Sequence, residues 1–362
     1  MKDNKTVIMQ VMPEFGLAGA EIMCENLTIE LDKNPNYSVI VVSLFDYHSP
    51  ITDRLESNGV QIFYLSKKSG LDISVIFKLK NLMISEGVDI IHTHRYTMQY
   101  AIPAAKLAGI KKCVHTVHNI ASKEVSRIRR TFASFVYKTK TSIPISISPQ
   151  VTESISKEYH INTSDIKMVF NGIDLNKCLV KKDYTTNNKF QIVHIGRFSE
   201  QKNHETIIKA VKKLKDKGFD IILNLIGDGP LFKDIKIKVT NLGLKENIIF
   251  HGLKSDVYPY LRQSDCFILP SFYEGMPISL IEAMGCGLPI IASNVGGIPD
   301  MIKDEYSGLI IEPNSDDLVE AIKRIIVDQN LREKLGTNAL HDSYRFSIEE
   351  MIKQYTDIYN ML

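Results

Sequence analysis

Short apolar runs alternate with amphipathic segments along almost the whole chain. Each run is rich in Val, Ile and Leu, as in strands that are buried on both faces of a parallel sheet. The segments between them repeat apolar residues every three or four positions, which predicts crossover helices. We therefore predict thirteen strands, at Thr6–Met12, Ser38–Leu44, Gln61–Leu65, Asp89–Thr93, Cys113–Val117, Ile143–Ile147, Lys167–Phe170, Phe190–Ile195, Ile221–Ile226, Ile248–Phe250, Cys266–Leu269, Pro289–Ser293 and Gly308–Ile311.

This alternation pauses once, in a polar segment over residues 171–189 that carries no sustained apolar period. Seven predicted strands precede the pause and six follow it. The sequence thus predicts an α/β protein with two doubly wound parallel sheets, over residues 1–170 and 190–346, joined by a linker. Ser347 and Glu350 have the spacing of a capping box, which predicts a last helix. Because open parallel sheets bind ligands beyond the carboxyl ends of their strands, we expect the chemistry on loops that face a cleft between the domains.

Composition and charge exclude several classes of protein. The chain of 362 residues is 44% hydrophobic and 24% charged, as in ordinary folded proteins, and its net charge of +2 is too even for nucleic-acid binding by bulk charge. Five cysteines without a C-x-x-C spacing argue against a disulfide framework or a zinc site and favour a cytoplasmic protein. The first apolar stretch, Thr6–Met12, is too short for a signal sequence or a membrane span. We expect a soluble protein, or one that touches membrane only from the side.

The predicted strand at Cys266–Leu269 leads into a segment with two glutamates and a helix start. Pro277 suits the first position of a helix, because the N–H that proline lacks has no partner there. A short helix over about 277–284 would offer free N–H groups to a phosphate. Glu274 stands before this helix and Glu282 within it, so one carboxylate can meet what lies beyond the phosphates while the other accepts from vicinal hydroxyls.

The spacing of these two glutamates is weak evidence by itself, because Glu312 and Glu320 repeat it beside an ordinary helix. The strand, the Gly-Met-Pro turn and the short helix distinguish the first pair. We interpret the second pair as solvated surface glutamates, and the same interpretation stays open as the alternative for the first.

The first loop of the second domain, Gly196–Asn203, carries two cations. Arg197 offers a planar fork for phosphate oxygens and Lys202 a point charge, and the loop ends where a helix starts. Together they could neutralise a diphosphate, and a salt-bridged surface loop is the alternative. The next loop, Gly227–Leu231, has Phe232 in place of the third glycine of a dinucleotide fingerprint, so we interpret it as a tight turn into a helix.

In the first domain, residues at the ends of predicted strands are candidates for ligand contact. Gly16 and Gly19 follow the first strand, where glycine lets a ligand approach the backbone, although a plain turn explains them almost as well. His118 ends its strand and precedes Asn119, which makes it the best placed histidine, with a structural role as the alternative. A metal site of the strand-end histidines is disfavoured, because no carboxylate lies beside them: His92, His94, His115 and His118.

Several motifs occur in a fixed order along the chain: Ala18-Gly19-Ala20-Glu21, His118, Asn171-Gly-Ile-Asp174, Gly196-Arg197…Lys202-Asn203, Gly227-Asp-Gly-Pro-Leu231, Glu274-Gly-Met-Pro…Glu282-Ala-Met and Gly296-Gly-Ile. This order resembles the retaining glycosyltransferase family 4, over essentially the whole chain and most strongly over 190–311. Among its branches, the chain is most similar to bacterial capsular and exopolysaccharide transferases. The family usually has Gly-Gly-x-Glu in its first loop, so Ala18 departs from the pattern.

The resemblance implies the GT-B fold, in which two Rossmann-like domains face a central cleft. The second domain, 190–346, would hold the nucleotide-sugar, and a C-terminal helix over about 347–362 would complete the acceptor-side domain, 1–170. Two catalytic residues are implied, His118 near the reacting carbon and Glu274 on the donor sugar. The implied donor-binding residues are Gly19 near the phosphate, Arg197 and Lys202 on the diphosphate, Glu282 on the ribose, Gly275, Met276, Pro277 and Ile278 beside the sugar, and Leu253.

The activity that the resemblance implies is transfer of a hexose from a nucleotide-diphosphate donor, with a UDP-sugar favoured, to a saccharide acceptor. A polyprenyl-linked acceptor at the inner face of the cell membrane is expected, in capsular or exopolysaccharide synthesis. No cofactor or metal is expected, because no Asp-x-Asp occurs and Arg197 with Lys202 can neutralise the leaving diphosphate. Two alternatives stay open: a nucleotide-sugar epimerase of the same fold, and a non-catalytic nucleotide-sugar-binding protein.

Residues 111–140 hold eight Lys and Arg against one acid in a nearly neutral chain. On one continuous helix they would form an apolar face, which we expect to pack on its own domain, and a basic face that points outward. The basic face is either simply solvated or docks on an anionic membrane. The apolar face would contain Val125, Ile128, Phe132, Phe135 and Val136, and the basic face Lys123, Arg127, Arg130 and Lys138.

Overall fold

The computed structural model describes residues 5–186 and 189–362, and the chain divides into two compact units. Unit 1 contains the chain up to Gly172 together with Ile348–Leu362, and unit 2 contains Ile173–Ser347. Each unit is built on one parallel sheet, and the thirteen predicted strands are all found in the described residues. The predicted α/β class with two doubly wound parallel sheets is therefore confirmed.

In the sheet of unit 1, the chain winds outward in two directions. Its described strands are β1 (Thr6–Met12), β2 (Tyr37–Ser43), β3 (Gln61–Tyr64), β4 (Ile90–His94), β5 (Lys112–Val117), β6 (Ile143–Ser146) and β7 (Lys167–Met168). They pair in parallel in the order β3-β2-β1-β4-β5-β6-β7. The direction reverses between β1 and β4, and such a switch point leaves a crevice at the carboxyl ends of the two strands.

The helices of unit 1 connect these strands, and one of them comes from the end of the chain. They are α1 (Gly19–Asp32), α2 (Pro50–Ser57), α3 (Ser74–Ser85), α4 (Met98–Ala108), α5 (Ala121–Glu124), α6 (Arg127–Lys138), α7 (Pro149–Tyr159) and, after unit 2, the C-terminal helix Ile348–Met361. Ser49 and Ser148 start α2 and α7, because their side chains accept backbone N–H groups beside a proline at the first position. The C-terminal helix buries Met351, Tyr355 and Tyr359 in one core with β1 and α1.

The sheet of unit 2 repeats the same plan with six strands in the described residues. They are β8 (Phe190–Ile195), β9 (Ile221–Ile226), β10 (Ile248–Gly252), β11 (Cys266–Leu269), β12 (Ile290–Ser293) and β13 (Leu309–Ile311). Their parallel order is β10-β9-β8-β11-β12-β13, so the direction reverses between β8 and β11. The helices are α8 (His204–Asp216), α9 (Phe232–Asn241), α10 (Tyr258–Arg262), α11 (Ile278–Gly285), α12 (Ile298–Met301), α13 (Ser315–Val327) and α14 (Gln329–Ser343); the C-terminal helix of unit 1 is α15.

The polar segment over 171–189 is not a bare connection where the structure describes it. From Ile173 onward it belongs to unit 2, where Cys178 and Tyr184 are buried. The Tyr184 hydroxyl donates to the carbonyl of Gly287 at 2.7 Å, and the N–H of Lys181 donates to the carbonyl of Cys286 at 2.8 Å. This part of the segment therefore packs along the end of α11; residues 187 and 188 lie outside the described residues.

The predicted basic face is exposed at Lys123, Arg127 and Lys138, as expected, whereas part of the predicted apolar face is wrong. The helix is broken, because Val125 is extended between α5 and α6. In α6 the exposed residues include Ile128 and Phe135, which are 85% and 65% exposed, although both were expected to pack inward. The buried positions are Ala133, Val136 and Tyr137.

Two arginines explain the rotation of α6. Arg130 Nη1 donates to Glu158 Oε1 of α7 at 2.8 Å, so it points toward its own domain rather than outward as predicted. Arg129 donates from Nε to Gln99 Oε1 of α4 at 3.2 Å and lies over the Tyr96 ring. Because both guanidinium groups find partners on neighbouring helices, the apolar side chains opposite them remain outside. Among the described residues, no helix is long and apolar enough to cross a membrane.

Candidate functional site

All the predicted site residues except Leu253 lie on loops or helices that follow strands at or beside the switch points of the two sheets. In unit 2, Gly196 and Arg197 follow β8, and the segment with Glu274 follows β11. In unit 1, Gly19 begins α1 after β1, and His118 directly follows β5, the neighbour of β4.

Lys202 and Glu274 form a buried ion pair in unit 2. Lys202 Nζ lies 2.6 Å from Glu274 Oε1, with the two side chains 13% and 5% exposed. The second carboxylate oxygen, Oε2, accepts from Gln201 Nε2 at 3.3 Å. The pair joins the loop after β8 to the loop after β11, 72 residues later in the chain. The structure therefore pairs Lys202 with Glu274, although the sequence analysis assigned Lys202 to the diphosphate of the donor and Glu274 to its sugar.

Backbone contacts hold these loops in place. Asn203 adopts a left-handed conformation, with φ of 53°, and its side-chain amide donates to the carbonyls of Pro270 and Pro313 at 3.0 and 3.1 Å. Gly296, with φ of 60°, lies so close that a Cβ there would be 1.8 Å from the carbonyl oxygen of Glu274. The N–H of Gly297 donates to the carbonyl of Gly275 at 2.9 Å. Gly296 is thus required for the loop after β12 to support the Glu274 segment.

Helix α11 begins one residue later than predicted. Pro277 is the extended N-cap rather than the first helical residue, and α11 runs over Ile278–Gly285. The N–H groups of the first helical residues have no acceptor within a helix, and they point out of its N-terminus. Gly275, Met276, Pro277 and Ile278, the four residues expected to hold the sugar, are all buried. These four residues form no open surface, so a ligand would contact their backbone only where it borders solvent.

Glu282 lies within α11 and is half-buried. Burial, together with the nearby Asp256 carboxylate and against the opposing charge of Lys177, raises the pKa of Glu282 to about 8. The carboxyl group is therefore mostly protonated at neutral pH. Hydroxyl groups that donate to it would favour the carboxylate, because hydrogen bonds to a charged form lower its pKa.

Arg197 and Leu253 lie on the surface of unit 2. Arg197 is exposed, and its guanidinium makes no hydrogen bond or ion pair within the described part of the chain. Leu253 follows the edge strand β10 and is 53% exposed. The N–H of Gly227 donates to the carbonyl of Gly252 at 2.9 Å, which links this edge to the loop after β9. Arg197 does not contact the Lys202–Glu274 pair, although all three residues follow the carboxyl ends of the neighbouring strands β8 and β11.

The start of α1 in unit 1 combines an exposed glycine with a buried charge. Gly19 is the first residue of α1, after Ala18 as an extended N-cap without a side-chain cap. Glu21, in the first turn, is buried and pairs with Arg95, whose Nη1 lies 2.8 Å from Glu21 Oε1. Arg95 follows β4 and has a left-handed backbone, with φ of 53°. The ion pair thus spans the β1–β4 switch point beside Gly19.

His118 is half-buried and held from two sides. Its ring Nε2 lies 2.9 Å from His94 Nδ1, and its backbone N–H donates to Glu124 Oε1 at 3.3 Å. Burial holds the pKa of His118 well below its usual value, and His94 and Arg95 lower it further. Burial also raises the pKa of Glu124 to about 7, against the opposing effect of the His118 amide. His118 is therefore a neutral imidazole at physiological pH.

The other strand-end histidines are buried and bonded within unit 1. His92 contacts the hydroxyls of Tyr359 and Thr116 at 2.7 and 2.8 Å, and His115 Nδ1 lies 2.8 Å from Thr93 Oγ1. Over residues 5–186 and 189–362, no group of three or more His, Cys, Asp or Glu side chains is arranged to hold a metal ion.

Five residues at these switch points escaped the sequence analysis as site residues: Gln10, His94, Arg95, Glu124 and Gln201. The strand-end histidine motif contained one signal, because side chains two apart on a strand share a face. His94 lies on one face of β4, and His118 lies on the same side at the end of β5. Gln10 lies on this side too, on the neighbouring strand β1. These three residues meet because β1, β4 and β5 are consecutive strands of the sheet, an order that cannot be read from the order of the strands along the chain.

Two family models match the chain side by side. The model described as Glycosyltransferase Family 4 matches residues 17–177, and the model described as Glycosyl transferases group 1 matches residues 179–342. A relative from Escherichia coli, UDP-Gal:alpha-D-GlcNAc-diphosphoundecaprenol alpha-1,3-galactosyltransferase, is 30% identical over 356 residues, which are 91% of each chain. N-acetyl-alpha-D-glucosaminyl L-malate synthase of Bacillus anthracis is 28% identical over 80% of this chain and 78% of that protein.

Solved structures share the fold of the whole chain. The crystal structure of Anabaena Alr3699/HepE in complex with UDP and glucose superposes with a TM-score of 0.86, over 98% of this chain and 99% of that chain, at 19% sequence identity. At 98% of the chain, this similarity includes both sheets.

Proposed function

The chain belongs to glycosyltransferase family 4 and has the GT-B fold, and from this we propose that it transfers a hexose from a UDP-sugar to a saccharide acceptor with retention of the anomeric configuration. The observation that carries the proposal is the buried Lys202–Glu274 pair at the β8–β11 switch point, beside the N-terminus of α11. The Escherichia coli relative uses UDP-Gal and the Anabaena structure holds UDP and glucose, which supports a UDP-hexose donor.

We assign the cationic side of this site to the leaving diphosphate. Transfer leaves negative charge on the diphosphate and positive charge on the sugar carbon. Lys202, the exposed guanidinium of Arg197 and the N–H groups at the start of α11 supply positive charge or hydrogen-bond donors. Because Lys202 is paired with Glu274, a bound diphosphate would share its ammonium group with that carboxylate. This arrangement needs no divalent metal, and activity that persists in EDTA would support it.

The two glutamates are assigned to the two sugars of the donor. Glu274, with the backbone of Gly275 to Ile278, would hold the transferred hexose, and Glu282 would accept from the ribose hydroxyls. Glu274 accepts hydrogen bonds at both carboxylate oxygens, from Lys202 and Gln201. These contacts suit a binding and charge-stabilising role, rather than that of a covalent nucleophile.

Retention without a covalent intermediate requires attack on the face that the nucleotide leaves. The bond between C1 and the diphosphate oxygen breaks as the acceptor oxygen bonds to C1 on that face. The proton of the acceptor hydroxyl passes to the departing phosphate oxygen, so that UDP leaves with the proton. His118 is assigned to contact with the sugar, where its neutral ring can exchange hydrogen bonds with hydroxyl groups.

We propose a polyprenyl-linked acceptor, with unit 1 docked on an anionic membrane through α6. The relative from Escherichia coli acts on a diphosphoundecaprenol-linked sugar. Ile128 and Phe135 are large exposed apolar side chains on a helix that also exposes Arg127 and Lys138. This combination is typical of helices that lie in the headgroup region of anionic bilayers. Capsular or exopolysaccharide synthesis is the corresponding role.

Product analysis tests the transfer. The protein is screened against UDP-hexoses by thermal shift, where a ligand at 100 times its Kd adds about 2.7 kcal/mol to stability. The stabilising donor is then incubated with and without a polyprenyl-diphosphate-linked sugar. Release of UDP only with the acceptor, together with an α-linked product from the α-linked donor, is expected. An epimerised donor without transfer would identify an epimerase, and an inverted product would refute retention.

A tryptophan reporter tests the docking. The chain contains no tryptophan, so Ile128→Trp gives a single fluorophore at the exposed end of α6. We expect a blue shift with vesicles of anionic lipid and none with neutral lipid. Leu107→Trp, at an exposed position near the end of α4, is the matched control and should not shift. An equal response of the two reporters would contradict docking through α6.

A further inference from the structure

The ring of His118 is the outer end of a hydrogen-bonded chain that starts in the core of unit 1. His118 Nε2 lies 2.9 Å from His94 Nδ1, and His94 Nε2 lies 2.8 Å from Gln10 Oε1. Gln10 and His94 are fully buried on the neighbouring strands β1 and β4. The chain is therefore anchored on the sheet and reaches outward to the one histidine assigned to the substrate.

Both imidazoles in this chain are neutral at physiological pH. Burial holds the pKa of His94 well below its usual value, as it does for His118, and Arg95 lowers both further. A neutral imidazole has one N–H donor and one bare nitrogen that accepts. Each bond of the chain must therefore pair a donor with an acceptor, and the direction of one bond determines the direction of the other.

The amide of Gln10 gives that direction. Its carbonyl oxygen, Oε1, can only accept, so His94 carries its proton on Nε2. His94 Nδ1 is then the bare nitrogen, and it accepts from an N–H at His118 Nε2. His118 Nδ1 is left without a proton, and it makes no hydrogen bond within the described residues.

We propose that His94, oriented by Gln10, is a positioning residue that keeps His118 in its Nε2–H tautomer, so that Nδ1 is presented as a hydrogen-bond acceptor for a sugar hydroxyl. The inference rests on the proposed function, in which His118 contacts the hexose. A bare imidazole nitrogen suits a hydroxyl, which can donate, and does not suit a phosphate oxygen, which cannot. The Glu124 carboxylate, which accepts from the His118 backbone N–H, orients the same residue without touching the ring.

Nitrogen NMR of the histidine rings reads the tautomer directly, without substrate. The His118 signals are assigned by their absence in His118→Ala. In the wild-type protein we expect a protonated Nε2 and an unprotonated Nδ1 for His118. A protonated Nδ1, or an equal mixture of the two forms, would overturn the proposal whatever the activity of the enzyme.

Two substitutions break the chain at different distances from His118. His94→Phe removes the acceptor, and Gln10→Met removes only the group that orients His94. Both should release His118 into a mixture of tautomers and lower kcat about five- to tenfold, the effect of losing one hydrogen bond, with little change in the KM for the donor. His94→Gln can accept from His118 and donate to Gln10, so it should retain most of the tautomer preference and of kcat.

His115→Phe is the matched control. His115 is also a buried strand histidine with one hydrogen-bonded hydroxyl, and it is not part of the chain. We expect it to leave the His118 tautomer and kcat unchanged. If His94→Phe does not fold, as judged by circular dichroism, then Gln10→Met and the wild-type spectrum still decide the question.

The outcomes separate the two proposals. An unchanged His118 tautomer in both His94→Phe and Gln10→Met would reject positioning. A fully active His118→Ala would instead reject the role of His118 in transfer and leave the tautomer result standing.

Discussion

The two switch points occupy the same place in two similar sheets, yet their chemistry differs. At the β8–β11 point of unit 2, a Lys202 ammonium and a Glu274 carboxylate meet with both side chains largely buried. The β1–β4 point of unit 1 also holds an ion pair, Glu21–Arg95, but the groups that lead to the half-buried His118 are a fully buried amide and a neutral imidazole, Gln10 and His94. The topology therefore determines where these side chains meet, and their chemistry determines which part of a ligand they would suit.

This difference has a physical consequence for a charged ligand. A diphosphate at Lys202 would share the ammonium group with Glu274, so that neither buried charge of the unit 2 pair would be left without a partner. Neutral imidazoles carry no charge to offset that of an anion, but with one N–H donor and one accepting nitrogen they can orient hydroxyl groups. We therefore expect substitutions in unit 2 to affect charge stabilisation and those in unit 1 to affect geometry.

The largest effect is expected at the two cations of unit 2. Lys202→Ala and Arg197→Ala should each lower kcat/KM about 10²- to 10³-fold, because each removes a group that stabilises the developing diphosphate, worth ~2–4 kcal/mol. Only Lys202→Ala should also destabilise the fold, by about 2–4 kcal/mol, because it leaves Glu274 buried without its ammonium partner. Kinetics and denaturant unfolding of the two variants provide the measurement.

The double variant Lys202→Met with Glu274→Gln separates stability from activity. It removes both buried charges, so it should recover most of the unfolding free energy and none of the activity. Near-wild-type kcat/KM in Lys202→Ala would exclude this residue from the site, and equal destabilisation by Arg197→Ala would contradict its exposed, unpaired position.

The strands and the start of α11 were readable from the sequence because their signals are local. A strand buried on both faces is a continuous apolar run, and all thirteen runs became strands. The helix start near Pro277 was predicted to within one residue, since proline and glycine restrict the backbone at that point. These features depend on neighbours a few residues away.

The pairings across the sheets and the faces of α6 were not readable in this way. Lys202 meets Glu274 across 72 positions, and His118 meets His94 across 24, through strand neighbours that chain order does not give. The buried face of α6 was predicted wrongly because the hydrophobic pattern assigns Arg130 to solvent, whereas Glu158 of another helix binds it. Partners of this kind are determined by tertiary packing.

At the unit 1 site, His118→Ala should slow transfer without weakening the nucleotide. We expect kcat to fall about 10- to 100-fold, because a positioned hydrogen-bonding group near the reacting carbon is lost. The Kd for UDP, measured by calorimetry, should be unchanged, since UDP carries no hexose. A comparable loss of UDP affinity would contradict the assignment of nucleotide binding to the unit 2 switch point and of sugar contact to the unit 1 switch point.

A smaller effect, in the pH dependence of nucleotide binding, is expected from Glu282. Its pKa of about 8 in the empty protein means that the group is mostly protonated at pH 7, whereas ribose hydroxyls favour the carboxylate. UDP binding should therefore release a proton, and the affinity should rise up to about fivefold between pH 7 and 8, up to about twofold more by pH 9, and then level off. Glu282→Gln should remove this rise in calorimetric titrations.

The stability of the empty protein should change with pH in the opposite direction. Because burial raises the pKa of Glu282 above its ordinary value of 4.5, the folded state binds more protons than the unfolded state between that value and about 8. Stability from this group therefore falls as the pH rises through that range. A Glu282→Gln variant whose unfolding free energy and UDP affinity keep the wild-type pH dependence would show that another group titrates.

The smallest effect is expected from the glutamate pair that repeats the spacing of the site without its surroundings. Glu312 and Glu320 are exposed, and Glu320 is bound only by the surface lysines Lys217 and Lys323 within the described chain. Neither residue follows β11 or precedes α11, so neither is near a switch point. Glu312→Gln and Glu320→Gln should therefore leave kcat, UDP affinity and melting temperature unchanged, because exposed ion pairs contribute little. Loss of activity in either variant, with the fold intact, would mean that the spacing of the glutamates, and not their position at a switch point, defines the site. The comparison of the two switch points would then have to rest on other residues.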